Sequence, residues 1–411
     1  MQPKSIGLNL TVKTLAGLEE ICAQELQALG ARQISTGRRI LSCAGDTTLL
    51  YRLNLECRTA LRVLVPIKTY TATSERSLYH GVRDIEWSRY MPIDGTLYID
   101  VVNQSPRFKN ALYLAQVAKD AIVDQFRSTT GRRPSVSKVN PDLRLSIHIN
   151  PKGKTILSLD SSGDGLHRRG YRSKGGFAPL NEVLAAGMLL LSGFDGERPF
   201  VDPFCGSGTL VAEAAMIAAH KAPGMHRHFG FEKWRDFDPT LLQDLRKSLQ
   251  EKERTPPHPI VGGDLDKDQL RAARSSVEFL GLNDSVVWHQ GDFADLVPPA
   301  PVPAVVPKTR GPRKKAAATY DGPANWAHLV TNPPYDIRVE TDDIVALYQR
   351  LGDTLKQNYQ GYTAWILSGN REALKRVGLR PSKKIELKNG PLDVLFWRYD
   401  LYAGSKRGEE M

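Results

Sequence analysis

The N-terminal part of the chain alternates between apolar positions spaced as in strands and apolar positions spaced as in helices. Residues 6–12 predict a strand, and apolar residues then recur every three or four positions until Gly30, a typical helix terminator. Residues 97–102 and 143–149 predict further strands, and residues 111–126 predict a helix between them. The pattern therefore predicts a small α/β region in this part of the chain.

From about residue 180 onwards, the pattern changes to a regular alternation of strands and helices. The predicted order is a helix at 181–191, a strand and glycine-rich turn at 199–208, a helix at 209–219, a strand at 259–263, a helix at 267–280, strands at 286–290 and 327–331, a helix at 343–357 and a strand at 363–368. Such an alternation predicts a mostly parallel sheet that is covered by helices on both faces.

One segment interrupts this alternation. Residues 298–323 are rich in proline and alanine, and they carry five basic residues before the first acid, Asp321. A segment of this composition does not form a packed core, so we predict a mobile surface insertion.

Composition adds a class of partner to this picture. The chain has 411 residues, with 56 Lys and Arg against 45 Asp and Glu, which gives a formal net charge of +11. A basic excess of this size favours a polyanionic partner. The hydrophobic fraction of 41% and the charged fraction of 25% are ordinary for a globular protein, and they exclude a mostly disordered, collagen-like or coiled-coil chain.

The four cysteines and the longest apolar run indicate the cellular compartment in which the protein is expected. Cys22, Cys43, Cys57 and Cys205 form no C-x-x-C pair of the kind that binds zinc or exchanges disulfides. The apolar run at residues 183–191 is far shorter than the ~20 residues that cross a bilayer. We therefore expect a cytoplasmic protein with reduced cysteines, no metal and no membrane partner.

The strongest local motif is a strand that runs into a glycine-rich turn and then a helix, at residues 201–210. Gly206 and Gly208 allow a ligand to approach the backbone, and the helix behind them offers unpaired N–H groups. The dinucleotide fingerprint G-x-G-x-x-G fails, because Val211 occupies the third glycine position and the next acid at a strand end, Asp264, lies far beyond the usual ~20 residues. The turn therefore predicts a nucleotide-like ligand other than a nicotinamide cofactor.

Two carboxylates follow the next two predicted strands. Asp264 ends one strand, and Asp292 with Phe293 follows the other. Each acid alone is typical of a helix N-cap. Behind a glycine turn, however, the carboxyl ends of parallel strands form the ligand site of a doubly wound sheet. We therefore interpret Asp264 as an acceptor for ribose hydroxyls and Asp292 as an acceptor for an adenine amine, with Phe293 against the ring.

A fourth motif, Asn332-Pro333-Pro334-Tyr335, ends an apolar strand. Two prolines remove two backbone donors and restrict the chain, so the Asn332 side chain and the Pro333 carbonyl can both be held as acceptors that face one point. Acceptors of this kind orient the lone pair of an exocyclic amine, and Tyr335 offers an aromatic face to a flat base. An isolated turn is the alternative, but the other three motifs upstream favour a base-binding site.

These motifs together resemble a known family. Residues 202–209 with residues 332–335 are similar to the motifs of class I S-adenosylmethionine-dependent methyltransferases, which modify exocyclic amines of adenine, cytosine or guanine. Residues 164–172 and 178–182 are similar to the segment that follows a THUMP domain in RNA methyltransferases. The nearest likeness is to the bacterial 23S rRNA guanine-N2 methyltransferases and their short homologues, and it spans nearly the whole chain.

The resemblance implies an α/β fold in three parts. Residues 1–60 would form a ferredoxin-like subdomain, residues 61–163 a THUMP RNA-binding domain, and residues 164–405 a Rossmann-like methyltransferase domain with a mostly parallel seven-stranded sheet. It also implies S-adenosyl-L-methionine as the cofactor and RNA, 23S rRNA or its precursor, as the partner.

The resemblance further assigns site residues. Asn332, Pro333, Pro334 and Tyr335 would bind the target base. The sequence departs from the family's usual pattern at the next position, where Asp336 stands in place of glycine. Within the cofactor site, Asp202, Gly206 and Gly208 would line the methionine side. Asn181 and Glu182 would lie in the helix that closes the pocket from behind. The complete set is Asp202, Pro203, Gly206, Gly208, Thr209, Asp264, Asp292, Phe293, Asn181 and Glu182.

A basic and aromatic cluster precedes the methyltransferase part. Arg168, Arg169, Tyr171 and Arg172 are suited to phosphates and stacked bases, and we predict that they contact RNA. A solvated charged face is the alternative interpretation of the same pattern.

The sequence leaves three functions open. The leading prediction is guanine-N2 methylation of RNA, by in-line methyl transfer to a base that has left its helix. Adenine-N6 methylation of RNA or DNA is the first alternative, because Asn-Pro-Pro-Tyr suits either amine. A non-catalytic RNA-binding assembly factor is the second.

Overall fold

The computed structural model describes residues 7–172, 180–303, 325–335 and 341–402. Most of the predicted insertion, the first two residues of the motif at 178–182, and Asp336 therefore lie outside the described residues.

The N-terminal region folds as strands and helices in mixed order. Its elements are β1 (Leu8–Thr14), α1 (Glu19–Ala28), β2 (Arg32–Gly37), β3 (Ile40–Gly45), α2 (Thr47–Glu56), β4 (Ala60–Thr71), α3 (Glu75–Arg83), β5 (Thr96–Asn103), α4 (Ala111–Thr130), β6 (Ser135–Val136), β7 (Leu143–Ile149) and β8 (Lys154–Asp160). The strands predicted at residues 97–102 and 143–149 and the helix at 111–126 are present within these bounds.

One sheet unites the whole N-terminal region, in the strand order β2-β3-β1-β4-β8-β7-β5-β6. The 12-residue strand β4 pairs antiparallel with both β1 and β8, so it joins the two halves of the sheet. Its pairing with β8 shifts register after Pro66, which is the kind of position that tolerates proline in a strand because a ladder donor is not required.

The C-terminal region carries the second set of elements. These are α5 (Glu182–Ser192), β9 (Phe200–Asp202), α6 (Thr209–Ala218), α7 (Pro239–Gln250), β10 (Ile260–Asp264), α8 (Lys267–Phe279), β11 (Val286–Gln290), β12 (Val302–Pro303), β13 (Asn325–Thr331), α9 (Thr341–Asn358), β14 (Tyr362–Ser368), α10 (Arg371–Arg376), β15 (Lys383–Asn389) and β16 (Leu392–Asp400). Each predicted strand and helix after residue 180 is found, with ends that differ by a few residues.

The second sheet has the strand order β11-β10-β9-β13-β14-β16-β15, and β12 pairs with β13 outside this order. The first five strands of this order are parallel to their neighbours, whereas β16 runs antiparallel to both β14 and β15. Apolar strands are consistent with a sheet covered on both faces, and all ten residues of α6 are buried. The predicted mostly parallel, seven-stranded, Rossmann-like sheet is therefore confirmed.

The chain divides into two compact units whose bounds differ from those expected. The first unit comprises Met1–Leu15, Cys22–Arg169 and Pro223–Leu249, and the second comprises Ala16–Ile21, Gly170–Ala222 and Gln250–Met411. The segment 223–249, which the sequence placed in the methyltransferase part, thus packs with the N-terminal region.

Two contacts explain this placement of the segment. The Phe231 ring is buried and stacks on Tyr51 with 4.1 Å between ring centroids. The Arg227 guanidinium donates hydrogen bonds to the main-chain carbonyls of Ser162, Asp164 and Gly165. An aromatic stack and a guanidinium paired with carbonyl groups are both tertiary contacts that local sequence spacing does not encode.

Candidate active site

The parallel strands of the second sheet bring their carboxyl ends to one edge, where a cavity of about 800 Å³ opens. Strands β9, β10, β11 and β13 end next to this cavity. Its lining includes most of the predicted site residues, namely Asp202, Pro203, Gly206, Thr209, Asp264, Asp292, Phe293, Asn332, Pro333, Pro334 and Tyr335. Motifs more than 100 residues apart therefore meet at one place, as expected at the carboxyl edge of a doubly wound sheet.

The two glycines of the turn serve different purposes. Gly206 lines the cavity with φ +51°, and its N–H donates a 2.8 Å hydrogen bond to Oδ2 of Asp264. Gly208 has φ +79°, and a Cβ at this position would stand 2.6 Å from Cβ of Ala273 in α8. Gly208 is therefore required for the close packing of α6 on α8, and it does not line the cavity.

Asp264, at the end of β10, links the glycine turn to the next helix. Its Oδ2 accepts from Gly206 N–H, and its Oδ1 accepts a 2.9 Å hydrogen bond from the N–H of Asp266. Each carboxylate oxygen has two lone-pair sites, so one further donor can bind at each oxygen. The arrangement suits a pair of neighbouring hydroxyl groups.

Asp202, at the end of β9, is a buried carboxylate with only 1% of its surface exposed. Thr331 Oγ1 donates a 2.7 Å hydrogen bond and the Phe204 N–H a 3.2 Å hydrogen bond, and both end on Oδ1. Burial raises the pKa of the Asp202 carboxyl to about 7, an effect that these two donors reduce and that the nearby Asp264 carboxylate increases. A cation placed at this carboxylate would lower its pKa again.

Asp292 follows β11, and both of its side-chain contacts among the described residues involve the same carboxylate oxygen. Its Oδ1 accepts from the Ala294 N–H at 2.9 Å and from Arg350 Nη2 at 2.7 Å. Burial alone raises the pKa of this carboxyl, but the hydrogen bonds from Ala294 and Arg350 outweigh burial and bring the pKa below its usual value. Phe293 is buried beside it, with its ring centroid 4.8 Å from that of Phe204.

The end of the cavity that Asn332 lines holds a buried hydrogen-bond acceptor. Oδ1 of Asn332 is buried and finds no hydrogen-bond partner among the described residues. A buried polar atom without a partner costs about 1–3 kcal/mol, so an atom of this kind that lines a cavity is a candidate acceptor for a donor on a ligand. Tyr335, three residues later, accepts a 3.1 Å hydrogen bond at its hydroxyl from Nδ2 of Asn389.

Asn181 and Glu182 lie behind the cavity and do not line it. Asn181 is the N-cap of α5, and its side chain accepts from the N–H groups of Val183 and Leu184. Glu182 is buried and forms an ion pair with Arg172 at 3.2 Å. Both residues support the site from outside, so direct contact with the cofactor is not what their geometry favours.

The side chains of the basic and aromatic cluster at residues 168–172 mostly point into the protein. Arg172 donates to Thr209 Oγ1 and to the main-chain carbonyl of Leu180, two residues that do line the cavity. Tyr171 is buried, and its hydroxyl lies 3.1 Å from Oε1 of Glu213. These contacts make Arg172 and Tyr171 part of the scaffold, contrary to the expected exposed RNA surface.

The other two cluster residues differ from each other. Arg169 is only 3% exposed and donates to the main-chain carbonyls of Leu166 and Arg58. The Arg168 side chain is 69% exposed and approaches Asp164 at 3.6 Å. Of the four predicted RNA contacts, Arg168 is therefore the one whose exposure fits that purpose.

Several lining residues were not predicted. Arg350 and Leu347 come from α9, Asn389 and Leu392 come from the β15–β16 hairpin, and Gln269 comes from α8. None of them belongs to a local motif. The only sequence signal for Arg350 is its place beside the apolar stripe of α9.

No helix in the described part of the chain is long and apolar enough to cross a membrane. Within the same ranges, no group of three or more His, Cys, Asp or Glu side chains is placed to hold a metal ion.

Comparison with known families assigns nearly the whole chain. Residues 169–307 and 315–397 match the RMKL-like methyltransferase domain, residues 9–64 match the RlmL ferredoxin-like domain, and residues 72–160 match the THUMP domain. The predicted family is therefore confirmed.

Individual relatives agree with this assignment. The chain is 37% identical over 389 residues to a Synechocystis protein described as "Putative RNA methyltransferase slr0064", with 94% of this chain and 95% of that protein covered. It is 37% identical over 395 residues to the "Ribosomal RNA large subunit methyltransferase K/L" of Syntrophotalea carbinolica, with 94% of this chain covered but only 52% of that relative.

Among solved structures, the protein SMU.472, a methyltransferase by its description, was crystallised with S-adenosylhomocysteine (SAH). It is 26% identical to this chain, with a TM-score of 0.81 and coverage of 98% of this chain and 100% of the other. The chain therefore belongs to the RMKL-like family of S-adenosylmethionine-dependent RNA methyltransferases, and it carries the N-terminal ferredoxin-like and THUMP domains of that family.

Proposed function

We propose that this protein transfers a methyl group from S-adenosylmethionine to an exocyclic base amine in RNA, namely N2 of a guanine in 23S rRNA. The observation that carries the proposal is the buried Oδ1 of Asn332, which lacks a partner among the described residues and lines the same cavity as Asp202, Asp264 and Asp292. One cavity thus offers an acceptor for an amine beside a set of carboxylates suited to a nucleoside cofactor.

The cavity residues fit S-adenosylmethionine in chemistry and in order along the edge. Asp202 would face the cationic methionine end, Asp264 would accept from the ribose hydroxyls, and Asp292 with Phe293 would take the adenine. The cofactor supplies, when bound, a methyl group on a sulfonium that departs as a neutral thioether. The volume of about 800 Å³ is within the range of cavities that enclose ligands of this size.

The proposed base-binding end of the cavity, formed by Asn332, Pro333 and Tyr335, explains how a weakly nucleophilic amine can react. The lone pair of an aromatic amine is delocalised into the ring, so catalysis depends on orientation. Oδ1 of Asn332 and the Pro333 carbonyl would accept the two amine hydrogens, which localises the lone pair and directs it toward the methyl group. As the nitrogen–methyl bond forms, the amine nitrogen becomes positively charged, and it then loses one proton to solvent. The Tyr335 ring would stack on the base, and its hydroxyl is held by Asn389.

RNA as the substrate rests on the N-terminal region and on the named relatives. Residues 72–160 match the THUMP domain, and one relative is named as a large-subunit rRNA methyltransferase. A paired guanine presents N2 within its helix, so the base has to leave the stack at a cost of a few kcal/mol, which stacking on Tyr335 partly offsets. The exposed Arg168 would contribute a phosphate contact.

The direct test is identification of the methylated nucleoside. Deproteinised total RNA from a strain that lacks the gene is incubated with the protein and labelled S-adenosylmethionine, then digested and separated. Label in N2-methylguanosine of 23S rRNA is the expected result. Label in N6-methyladenosine, or in DNA supplied instead of RNA, would support the adenine alternative, and absence of cofactor binding by calorimetry would support the assembly factor.

Asp264→Ala is expected to lower S-adenosylmethionine affinity by about 10- to 100-fold, because hydrogen bonds to a charged partner contribute roughly 1.5–3 kcal/mol. Isothermal titration calorimetry measures the change. Asp266→Ala is the matched control: Asp266 caps α8 and does not line the cavity, so this variant should lose stability and keep its affinity. Unchanged affinity in Asp264→Ala would remove Asp264 from the ribose site.

Gly369→Ala is expected to slow methyl transfer by about 10- to 100-fold while cofactor affinity stays the same. A Cβ on Gly369 would stand 2.9 Å from Cδ2 and Cε2 of Tyr335, so the ring has to move, and misplacement of a reacting group by about 1 Å can cost 100-fold. Single-turnover rates on rRNA measure the effect. Gly7→Ala, which meets open space, serves as the control, and a wild-type rate in Gly369→Ala would mean that the Tyr335 position does not matter.

A further inference from the structure

We propose that Arg350 is a positioning residue that makes the cofactor pocket specific for adenine, because it holds one oxygen of Asp292 and leaves the other to accept the 6-amino group. The inference rests on the proposed placement of the cofactor adenine at Asp292. It adds a residue from α9 for which no sequence motif exists.

The hydrogen bonds at Asp292 are asymmetric. Arg350 Nη2 lies 2.7 Å from Oδ1 of Asp292, and the Ala294 N–H donates to the same Oδ1 at 2.9 Å. Among the described residues, no hydrogen bond ends on Oδ2, although the residue lines the cavity. Two donors hold Oδ1 in place, so Oδ2 remains available as a hydrogen-bond acceptor for a ligand.

Arg350 is also held in place by the groups around it. Its guanidinium lies 5.1 Å from the centroid of the Phe293 ring, within the range of a cation–π contact. The neighbouring residue Leu351 is 1% exposed and Tyr348 is fully buried, and both belong to the core beneath α9. The backbone that carries Arg350 is therefore anchored, although its side chain is 55% exposed.

The contribution of the Arg350–Asp292 ion pair to folding stability is too small to explain its presence. Exposed ion pairs contribute about 0–1 kcal/mol to folding, and the Asp292 side chain is itself 31% exposed. The pair lies at the cavity, and the Asp292 carboxylate, which is ionised at neutral pH, can only accept hydrogen bonds. An ionised acceptor favours the 6-amino group of adenine over the 6-oxygen of a deaminated purine, because two acceptors repel each other.

The test compares two ligands that differ at this one position. S-adenosylhomocysteine and S-inosylhomocysteine, in which oxygen replaces the 6-amino group, are titrated calorimetrically into the full-length protein, into Arg350→Ala and into Arg350→Lys. We expect the wild type to prefer the adenosyl ligand. We expect Arg350→Ala to bind that ligand about 10-fold more weakly, with little change for the inosyl ligand, so that the preference shrinks.

The controls separate this inference from the proposed function. Lys356→Ala, on the same helix and exposed in a pair with Asp353, should keep the wild-type preference. Arg350→Lys retains the charge but loses the planar fork, so its preference should be intermediate. Equal losses for both ligands in Arg350→Ala would overturn the inference. If Asp292→Ala leaves both affinities unchanged, the adenine site itself is misplaced and the proposed function fails at that point.

Discussion

Asn332→Ala is expected to lower the rate of methyl transfer at least 100-fold while S-adenosylmethionine affinity stays within about twofold of the wild type. The variant removes the buried Oδ1 that lacks a partner among the described residues. Positive charge develops on the amine nitrogen as the methyl group arrives, so an acceptor on its hydrogen is worth more in the transition state than in the ground state. Removal of one preorganised group of this kind typically costs about 100- to 1000-fold in rate.

Single-turnover transfer to rRNA and calorimetric cofactor binding measure the two quantities separately. Asn332→Asp retains an acceptor oxygen of the same size, so it should keep more activity than the alanine variant. Asn370→Ala is the matched control, because the Asn370 side chain does not line the cavity and, within the described ranges, it accepts one hydrogen bond, from the Ala373 N–H at 3.0 Å, which caps α10. Parallel losses of rate and cofactor affinity in Asn332→Ala would mean that Asn332 belongs to the cofactor site rather than to the base.

The cavity edge could be predicted from sequence because a parallel sheet brings its strand ends together. Asp202 ends β9, Asp264 ends β10, and Asn332 directly follows β13, so each reaches the cavity through the register of its own strand. Local spacing identifies such strands, and topology then brings distant motifs into contact.

The rest of the cavity depends on packing that sequence spacing does not show. Arg350 reaches Asp292 only because the apolar side of α9 packs in the core, and Asn389 reaches Tyr335 only because the hairpin of β15 and β16 brings it to the cavity. Neither residue has a neighbour in sequence that marks it as functional.

At the basic and aromatic cluster of residues 168–172, the sequence predicted an RNA-binding surface that the structure does not show. Arg169 and Tyr171 have the composition of an RNA-binding surface, yet both are buried. A guanidinium with five donors satisfies several main-chain carbonyls as readily as phosphates, and a tyrosine hydroxyl can pair with a buried glutamate such as Glu213. Charge and aromatic content therefore do not reveal which way a side chain points.

Cofactor affinity is expected to rise with pH between about 6 and 8 and to lose this dependence in Asp202→Asn. Burial raises the pKa of Asp202 to about 7 in the free protein, and the cationic end of S-adenosylmethionine binds best to the ionised carboxylate. Below pH 7, binding must first remove a proton, which costs up to about tenfold in affinity per pH unit. Calorimetry in two buffers of different ionisation enthalpy should show protons released on binding near pH 7.

The asparagine variant distinguishes Asp202 from the cofactor's own amine, which also titrates. If the affinity of Asp202→Asn is low and nearly independent of pH, Asp202 is the titrating group. If the variant keeps the wild-type slope, the pH dependence belongs to the ligand and Asp202 is not its counter-ion. The substitution is conservative because both internal donors, Thr331 Oγ1 and the Phe204 N–H, bond to Oδ1, an oxygen that asparagine retains.

The same variant should be more stable than the wild type at pH 8 in the absence of cofactor. A carboxyl whose pKa is raised by folding favours the folded state while it is protonated, and this stability is lost as pH rises from the ordinary Asp range through about 7. Asparagine has no charge to bury, so we expect its Tm to exceed that of the wild type by a few degrees at pH 8 and by less at pH 5. Higher stability combined with lower affinity would show that the buried charge at Asp202 is kept for the ligand, whereas a lower Tm at pH 8 would assign Asp202 a structural purpose.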